Sequence, residues 1–335
     1  RGEILVANHD SNTVSVISDS NNTVVTTVPV GIKPVSLAYD SGKGEIFVTN
    51  NGAGTLSVIA DNTSTVVATL TVGTNPEGVA YDSGTGEIFV ANWGSNTTSV
   101  ISDSNNTVIA TVPVGDKPIG VAYDSAKGEI FVANSDSSGN GTVSVISDKT
   151  NTVIATVTVE AGAYYLAYDS GKGEIFVNSG GAVSVILDNN NAEIATMNVS
   201  PGMGIAYDPA KGAIFFSGSK VYGNGIAASV VVMSDDTYSI LANLALPSGD
   251  VSYGAVYDPP MGEIFVPNGN SMVYVISDAS LPSVSPSQTL STLPSPTVPE
   301  FSSTNLILVL TAVVVVTLIA VTFAVKKPKK FSGKS

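Results

Sequence analysis

Recurring aspartates are the first candidates for chemistry, because their carboxylates and the neighbouring asparagine amides could supply oxygen ligands to Ca²⁺. The set comprises Asp19, Asp61, Asp103, Asp148 and Asp188. No loop has the alternating Asp-x-Asp-x-Asp-Gly spacing of a calcium loop, and hydrogen bonds that cap turns account for the same residues. We therefore predict no cofactor and no metal site, with a weak Ca²⁺ site as the alternative.

Catalytic combinations are scarce. His9 is the only histidine and cysteine is absent, so no Ser/His/Asp set, thiol nucleophile or histidine-rich metal cluster can be assembled. No glycine-rich loop of the phosphate-binding type is present either. We predict that the protein is not an enzyme. A lyase or hydrolase that uses carboxylates alone is the less favoured alternative.

Aromatic residues offer a second set of candidate binding groups. A tyrosine precedes aspartate in a repeated Tyr-Asp pair at Tyr39, Tyr81, Tyr123, Tyr168, Tyr207 and Tyr257. These rings could line a central binding surface, although such aromatics more often pack between structural units. Trp93, the only tryptophan, lies in a predicted loop as either an exposed binding residue or a packing residue.

Six Asn-x-Ser/Thr sequons are candidate sites of N-linked glycosylation. They begin at Asn21, Asn62, Asn96, Asn105, Asn140 and Asn198, mostly in predicted hairpin turns. Asparagine is also favoured in turns for its backbone preferences, so a glycan and a purely structural role are both open at these positions.

These residues belong to a sequence repeat. The segment Gly-Glu-Ile-Phe-Val and its variants recur from residue 2 to residue 262 at intervals of 39 to 50 residues, and the Tyr-Asp pairs keep the same step pattern. Within one repeat, the segments 34–40, 44–50, 55–61 and 65–73 have strand length and are separated by Gly, Asn and Ser. Four antiparallel strands in about 40 to 45 residues predict the blades of an all-β propeller.

The strand count predicts the number of blades. Three strands open the sequence, five complete four-stranded units follow, and three strands end at Asp278, which gives 26 strands. We predict a β-propeller of seven four-stranded blades over residues 1–278. Its N-terminal part, including the innermost strand of the first blade, is expected to be missing because Arg1 interrupts the preceding turn. Six blades are the alternative.

At this level of detail the repeat resembles a known family. Phe47-Val48-Thr49-Asn50 is similar to the tetrapeptide that names the YVTN-type β-propeller repeats of archaeal surface-layer proteins. The resemblance covers about residues 1–278, with departures after residue 160, where Asn178 comes one place early and Gly218 replaces the asparagine. It implies a seven-bladed propeller displayed on an archaeal cell envelope, and it names no ligand.

The C-terminal part has a different composition. Residues 279–304 are rich in Pro, Ser and Thr and predict an extended stalk. Residues 305–325 are an uncharged apolar run that predicts a transmembrane helix, and the lysines of 326–335 place that tail in the cytoplasm. Pro299-Glu300-Phe301 also resembles a PEF-type archaeal sorting signal, so removal of the helix by a processing enzyme is the alternative to a permanent anchor.

Charge narrows the choice of partners. Residues 1–300 carry nine basic against 28 acidic residues, a net charge of −19. Such a surface repels phosphate backbones, so we predict no nucleic-acid partner. The predicted protein is a single-pass cell-membrane protein with an extracellular N-terminal domain. We expect a non-enzymatic binding or adhesion module for an extracellular glycan, envelope polymer or surface protein, with a structural surface-layer subunit as the alternative.

Overall fold

The fold is known from a computed structural model, which describes residues 2–136, 140–159, 162–179, 181–199, 202–222, 225–246, 252, 254–269, 271–280 and 321–327. These residues form 27 β-strands and one short 3-10 helix, Asp278–Ser280. In the same residues there is no helix of the length and apolarity needed to cross a membrane.

The strands group into successive antiparallel sheets, which we call blades. Blade 1 contains β1 (Glu3–Asn8), β2 (Thr13–Ser18) and β3 (Thr23–Pro29). Blade 2 contains β4 (Pro34–Asp40), β5 (Glu45–Asn50), β6 (Thr55–Ala60) and β7 (Thr65–Thr71). Blade 3 contains β8 (Pro76–Asp82), β9 (Glu87–Asn92), β10 (Thr97–Ser102) and β11 (Thr107–Pro113). Blade 4 contains β12 (Pro118–Asp124), β13 (Glu129–Asn134), β14 (Gly141–Ser147) and β15 (Thr152–Val159).

The remaining blades follow the same order. Blade 5 contains β16 (Tyr165–Asp169), β17 (Glu174–Asn178), β18 (Val183–Leu187) and β19 (Ala192–Met197). Blade 6 contains β20 (Gly204–Asp208), β21 (Ala213–Tyr222), β22 (Gly225–Ser234) and β23 (Ile240–Ala245). Blade 7 contains β24 (Val256–Asp258), β25 (Glu263–Pro267) and β26 (Val273–Ser277). The 26 strands predicted before residue 279 and the seven-bladed all-β propeller are therefore confirmed for the described residues.

Packing between blades closes the ring. Seven hydrophobic clusters lie between consecutive blades, and one of them joins Phe265 of blade 7 to Ile4, Val6 and Ile17 of blade 1. The phenylalanine of the second strand is fully buried in each repeat that has one, at Phe47, Phe89, Phe131, Phe176, Phe215 and Phe265. The apolar second and third strands, buried on both faces, thus form the core, as expected for sheets packed on both sides.

The innermost position of blade 1 is filled by β27 (Val321–Lys327), which pairs antiparallel with β1 and places Leu5 opposite Val325. β27 also adjoins the inner strands β4 and β24. The sequence predicted a missing strand at this position, and here a C-terminal segment occupies it. Of the predicted stalk and transmembrane helix, residues 281–320 lie outside the described residues, whereas residues 321–325 belong to this strand instead of a helix.

Candidate functional site

The propeller has two faces, which we name from the loops that they carry. The acidic face holds the turns between first and second strands and between third and fourth strands. The loop face holds the turns between second and third strands and the connections between blades. Acidic residues of the acidic face recur at Glu3, Glu45, Glu87, Glu129, Glu174 and Glu263; at Asp40, Asp82, Asp124, Asp169, Asp208 and Asp258; and at Asp19, Asp61, Asp103, Asp148, Asp188, Asp235 and Asp278. The described charged side chains of the loop face are Asp10, Lys33, Glu77, Asp116, Lys117 and Asp136.

The repeated Tyr-Asp pairs have a structural role on the acidic face. Asp40 is fully buried, and its Oδ1 accepts the backbone N–H groups of Gly42 (2.7 Å) and Lys43 (3.1 Å). Asp82, Asp124, Asp169 and Asp208 accept the equivalent pair of N–H groups. These carboxylates cap the turn that follows the innermost strand, which fits the turn-capping interpretation of aspartate.

Several of the tyrosines bind a carboxylate of their own blade, and Tyr81 and Tyr168 also lie beside a carboxylate of the preceding blade. Tyr39 Oη donates to Asp61 Oδ2 at 2.9 Å, and Tyr257 Oη donates to Asp278 Oδ2 at 3.2 Å. Burial, followed by the carboxylates of Asp124 and Asp188, raises the pKa of Tyr168, so its hydroxyl stays protonated between them. The tyrosines therefore lie at blade junctions, as in the packing interpretation.

Lysines partly offset the charge of this face. Lys172 Nζ lies 2.9 Å from Asp235 Oδ1 and 2.6 Å from Asp236 Oδ1. Similar pairs link a first turn to the third strand of the following blade at Lys43–Asp103, Lys127–Asp188 and Lys211–Asp278. Burial still raises the pKa of Asp188 and of Asp235.

The five aspartates considered as Ca²⁺ ligands thus lie at the ends of third strands, beside the tyrosines and lysines of the acidic face. Among the described residues, no group of three or more His, Cys, Asp or Glu side chains is arranged to hold a metal ion. The weak Ca²⁺ site stays a prediction.

The tetrapeptide that carries the family resemblance is also structural. Asn50 is fully buried, and its Nδ2 donates to Thr55 Oγ1 (3.1 Å) and to Ser57 Oγ (2.9 Å) on the next strand. A Cβ on Gly31 would lie 2.5 Å from the Asn50 side chain, so only glycine fits there. The same asparagine network recurs at Asn8, Asn92 and Asn134.

The central channel is lined by the innermost strands. It contains a cavity of about 110 Å³ lined by Ser36, Gly78, Val79, Gly120, Val121, Tyr165, Leu166, Ile205 and Ala255. Small residues are needed on these strands because a Cβ on Gly78 would lie 2.3 Å from the Ile119 carbonyl oxygen of the next blade. In blade 5 the equivalent position holds Tyr165, which makes the channel asymmetric.

Glu77 is the one described carboxyl group on an innermost strand away from its Tyr-Asp end. Its Oε1 accepts a hydrogen bond from Asn51 Nδ2 at 2.8 Å, and Asn75 Nδ2 contacts Asn51 Oδ1 at 3.3 Å. Burial raises the pKa of Glu77 to about 7. Burial and the charge of Glu77 together raise the pKa of Tyr165, which places these two groups near one another.

Trp93 lies on the same face as Glu77. Its side chain is 39% exposed, and Lys117 Nζ lies 5.6 Å from the centroid of its ring. The backbone N–H of Trp93 donates to the Asn75 carbonyl oxygen at 3.0 Å, which fixes the loop. The Trp93 ring is therefore fixed in position and partly exposed, and it does not pack within a blade.

His9 shows no catalytic arrangement among the described residues. Its Nδ1 lies 2.6 Å from Asp10 Oδ1 in a loop-face turn, where both groups contact solvent.

The six sequon asparagines are all exposed. Asn21, Asn62 and Asn105 lie in turns between third and fourth strands, Asn96 and Asn140 lie between second and third strands, and Asn198 follows β19. The Asn96 side chain makes two hydrogen bonds: its Nδ2 donates to Asp116 Oδ1 at 2.6 Å, and its Oδ1 accepts the backbone N–H of Lys117 at 3.0 Å. Glycan occupancy stays a prediction at these sites.

Glu77 and Tyr165 were missed as candidate site residues. A signal was present in the repeat itself. When the innermost strands are aligned on their Tyr-Asp pairs, the position five residues before the aspartate reads Val35, Glu77 and Ile119, and the next position reads Ser36, Gly78, Gly120, Tyr165 and Gly204. Departures from an otherwise regular repeat mark positions that the blade does not need for its own packing.

Comparison with known proteins supports the fold alone. No family model matches the chain, and no curated protein matches its sequence. A solved structure of hydrazine synthase from Kuenenia stuttgartiensis is similar over 73% of this chain and 76% of that chain, with a TM-score of 0.65 and 16% identity. At that identity the similarity concerns the fold and leaves the activity of this chain open.

Proposed function

We propose that the protein is a non-enzymatic binding module whose ligand site is the mouth of the central channel on the loop face. The observation that carries this proposal is the grouping of blade-specific residues. Glu77, Trp93 and Tyr165 all break the repeat, and all belong to blades 3 to 5 on the loop face or in the channel. A regular scaffold that holds irregular residues in one region is the usual design of a recognition surface.

The proposed ligand is an extracellular glycan or other envelope polymer. A partly exposed tryptophan offers a rigid apolar face, and neighbouring amides and a carboxyl group offer hydrogen bonds. The net negative charge of the chain argues for a neutral or cationic polymer over an anionic one.

The test is binding of the purified full chain to a glycan and envelope-polymer array, with and without Ca²⁺. We expect saturable binding that Trp93→Ala weakens at least about tenfold, as is typical for loss of an aromatic anchor. Ile240→Ala is the matched control, because Ile240 is also an exposed apolar residue (47%) but lies on the outer strand of blade 6.

If Trp93→Ala and Ile240→Ala weaken ligand binding equally, or if ordered assemblies form and no ligand binds, a structural layer subunit is the better explanation. Turnover of an array component that Trp93→Ala abolishes would replace it with an enzyme.

The second part of the proposal is display at a cell membrane through the apolar run in residues 305–325. This run and the lysines after it support a membrane span. A membrane span and β27 require the same residues, so these two placements exclude one another.

Cysteine pairs can separate the two placements, since the chain has no native cysteine. Val6 is opposite Ala324 in the β1–β27 register, so Val6→Cys with Ala324→Cys reports whether β27 is paired. With the chain in lipid vesicles, we expect no disulfide between them. The control pair, Ala7→Cys with Val14→Cys, joins β1 to β2 and should form in every condition. If the cysteines introduced at positions 6 and 324 form a disulfide with the same yield in vesicles as without lipid, the membrane anchor is refuted.

A further inference from the structure

Like several carboxylates of the acidic face, Glu77 has no described basic partner, but it is the one that lies on an innermost strand away from its Tyr-Asp end. None of the ion pairs described above includes Glu77. Among the described residues, its side chain accepts one hydrogen bond, from Asn51 Nδ2 to Oε1. A largely buried carboxylate without a cation is costly, so it either keeps a proton or receives a positive group from outside.

The second oxygen of Glu77 is open to a ligand. Oε2 accepts no hydrogen bond from a described residue, and it is not fully enclosed by protein atoms. Glu77 directly precedes Gly78, which lines the channel cavity together with Tyr165. Glu77 does not itself line this space of about 110 Å³, but its charge acts on Tyr165, which does, so the carboxyl group lies near a space with room for a small ligand group.

We propose that the channel mouth receives a primary ammonium group of the ligand, which pairs with Glu77 Oε2. This inference rests on the proposed binding function and names the chemical group that the site selects.

The geometry favours an ammonium over other cations. Guanidinium binds carboxylates best through two parallel hydrogen bonds, and Asn51 already occupies one of the two Glu77 oxygens. A divalent metal ion needs several oxygen ligands, and the described residues offer no group of three acidic or imidazole side chains. An ammonium needs one strong acceptor, and it is small enough to enter the cavity.

The experiment follows the Glu77 carboxyl carbon by NMR in the full chain labelled at glutamate with ¹³C, with Glu77→Gln to assign the signal. The probe is n-propylammonium chloride. We expect it to lower the apparent pKa of Glu77 so that, at saturation, the carboxyl group releases its proton about tenfold more readily. By linkage, n-propylammonium should bind about tenfold more tightly at pH 8 than at pH 5.5.

Two matched additives act as controls. Sodium chloride at the same concentration reproduces ionic strength, and n-propanol reproduces size without charge. An equal response to either additive, or no response to n-propylammonium, overturns the proposal. Glu193→Gln removes an exposed carboxyl group on β19 and should leave the Glu77 response unchanged.

Two natural sources of the group can be told apart with D-glucosamine and Nα-acetyl-lysine methylamide, each compared with its N-acetylated or Nε-acetylated form. If one of these compounds shifts the Glu77 carboxyl resonance and its acetylated form does not, that compound identifies the ligand class as an amino sugar or a lysine side chain. A failed polymer array with an intact Glu77 response refutes the proposed polymer ligand alone, whereas array binding unaffected by Glu77→Gln refutes the ammonium site alone.

Discussion

The two faces of the propeller arise from the same repeat but obey different rules. On the acidic face, each carboxylate type recurs from blade to blade, and its partners come from a small set: a turn N–H, a tyrosine hydroxyl, a lysine or an asparagine amide. On the loop face, Glu77 and Trp93 occur once each, and Glu77 is a half-buried carboxyl group with no described cation partner.

This difference separates charge that builds the fold from charge that is available for binding. A carboxylate that recurs with the same kind of contact in successive blades has a structural role, since the same physical requirement recurs at every blade junction. The carboxyl group of Glu77 occurs once and is costly to desolvate. The repeated blade does not require it, so it indicates a role in ligand binding. A high local density of acidic residues is therefore a poor guide to function in this molecule.

The largest expected effect is on the acidic face. Asp124→Ala removes the fully buried carboxylate that accepts the N–H groups of Ala126 (2.8 Å) and Lys127 (3.2 Å). We expect the free energy of unfolding to fall by about 3 kcal/mol, because two backbone donors lose their acceptor. Urea unfolding followed by circular dichroism measures it.

The control for this change lies on the loop face. Asp116→Ala removes an exposed carboxylate that contacts the Asn96 amide, and the expected change is within about 0.5 kcal/mol. Similar losses for Asp124→Ala and Asp116→Ala would mean that the two faces do not differ in the structural role of their carboxylates.

The second effect has the opposite sign and belongs to the loop face. The folded-state pKa of Glu77, about 7, is above the ordinary glutamate value, so ionisation destabilises the fold. This penalty is absent below about pH 4.3, grows as the pH rises, and is complete above the folded-state pKa. Glu77→Gln should thus stabilise the protein by about 2 kcal/mol at pH 8 and by little at pH 5.

The measurement is the urea-unfolding free energy of Glu77→Gln at both pH values, beside Glu193→Gln. The exposed Glu193 should give no such difference between pH 5 and pH 8. A Glu77→Gln variant that is less stable than the native chain at pH 8 contradicts the assignment of Glu77 as an unpaired buried group.

The fold could be predicted from the sequence because every blade repeats the same local rules. Phe47, Asn50 and Asp40 each satisfy a need that recurs with the repeat: a core ring, a strand-to-strand bridge and a turn cap. Local strand length and turn chemistry then determine the meander, and the number of repeats determines the number of blades.

The site could not be predicted in the same way. Glu77 and Tyr165 are far apart in sequence and come together only when the ring brings blades 3 and 5 around one channel. β27 was also unforeseen, because an apolar β-branched run such as Val321–Val325 suits a membrane helix and a sheet strand equally, and its pairing partner is at the other end of the chain.

The third prediction concerns the pH response of the acidic face. Burial raises the pKa of Asp188, Asp235 and Glu174, so each of them destabilises the fold when ionised. The penalty is absent below the ordinary carboxyl values of about 4 and grows as the pH rises through the raised values. In a Glu77→Gln background, the urea midpoint should therefore still be higher at pH 5 than at pH 8. A midpoint that falls on acidification would mean that the lysine ion pairs outweigh burial on this face.

The smallest effect tests whether those ion pairs matter. Lys172→Met keeps the length and apolar stem of the side chain but removes the ammonium group beside Asp235 and Asp236. Since Asp235 is buried and Lys172 is partly exposed, we expect a loss of about 1 kcal/mol at low salt. The loss should shrink in 1 M NaCl, because salt screens the pair on its exposed side. Lys33→Met, at an exposed lysine of the loop face, should change stability by only about a few tenths of a kcal/mol at either salt concentration. If Lys33→Met costs as much as Lys172→Met, lysine side chains are no more structural on the acidic face than on the loop face, and the contrast between the faces is confined to their carboxylates.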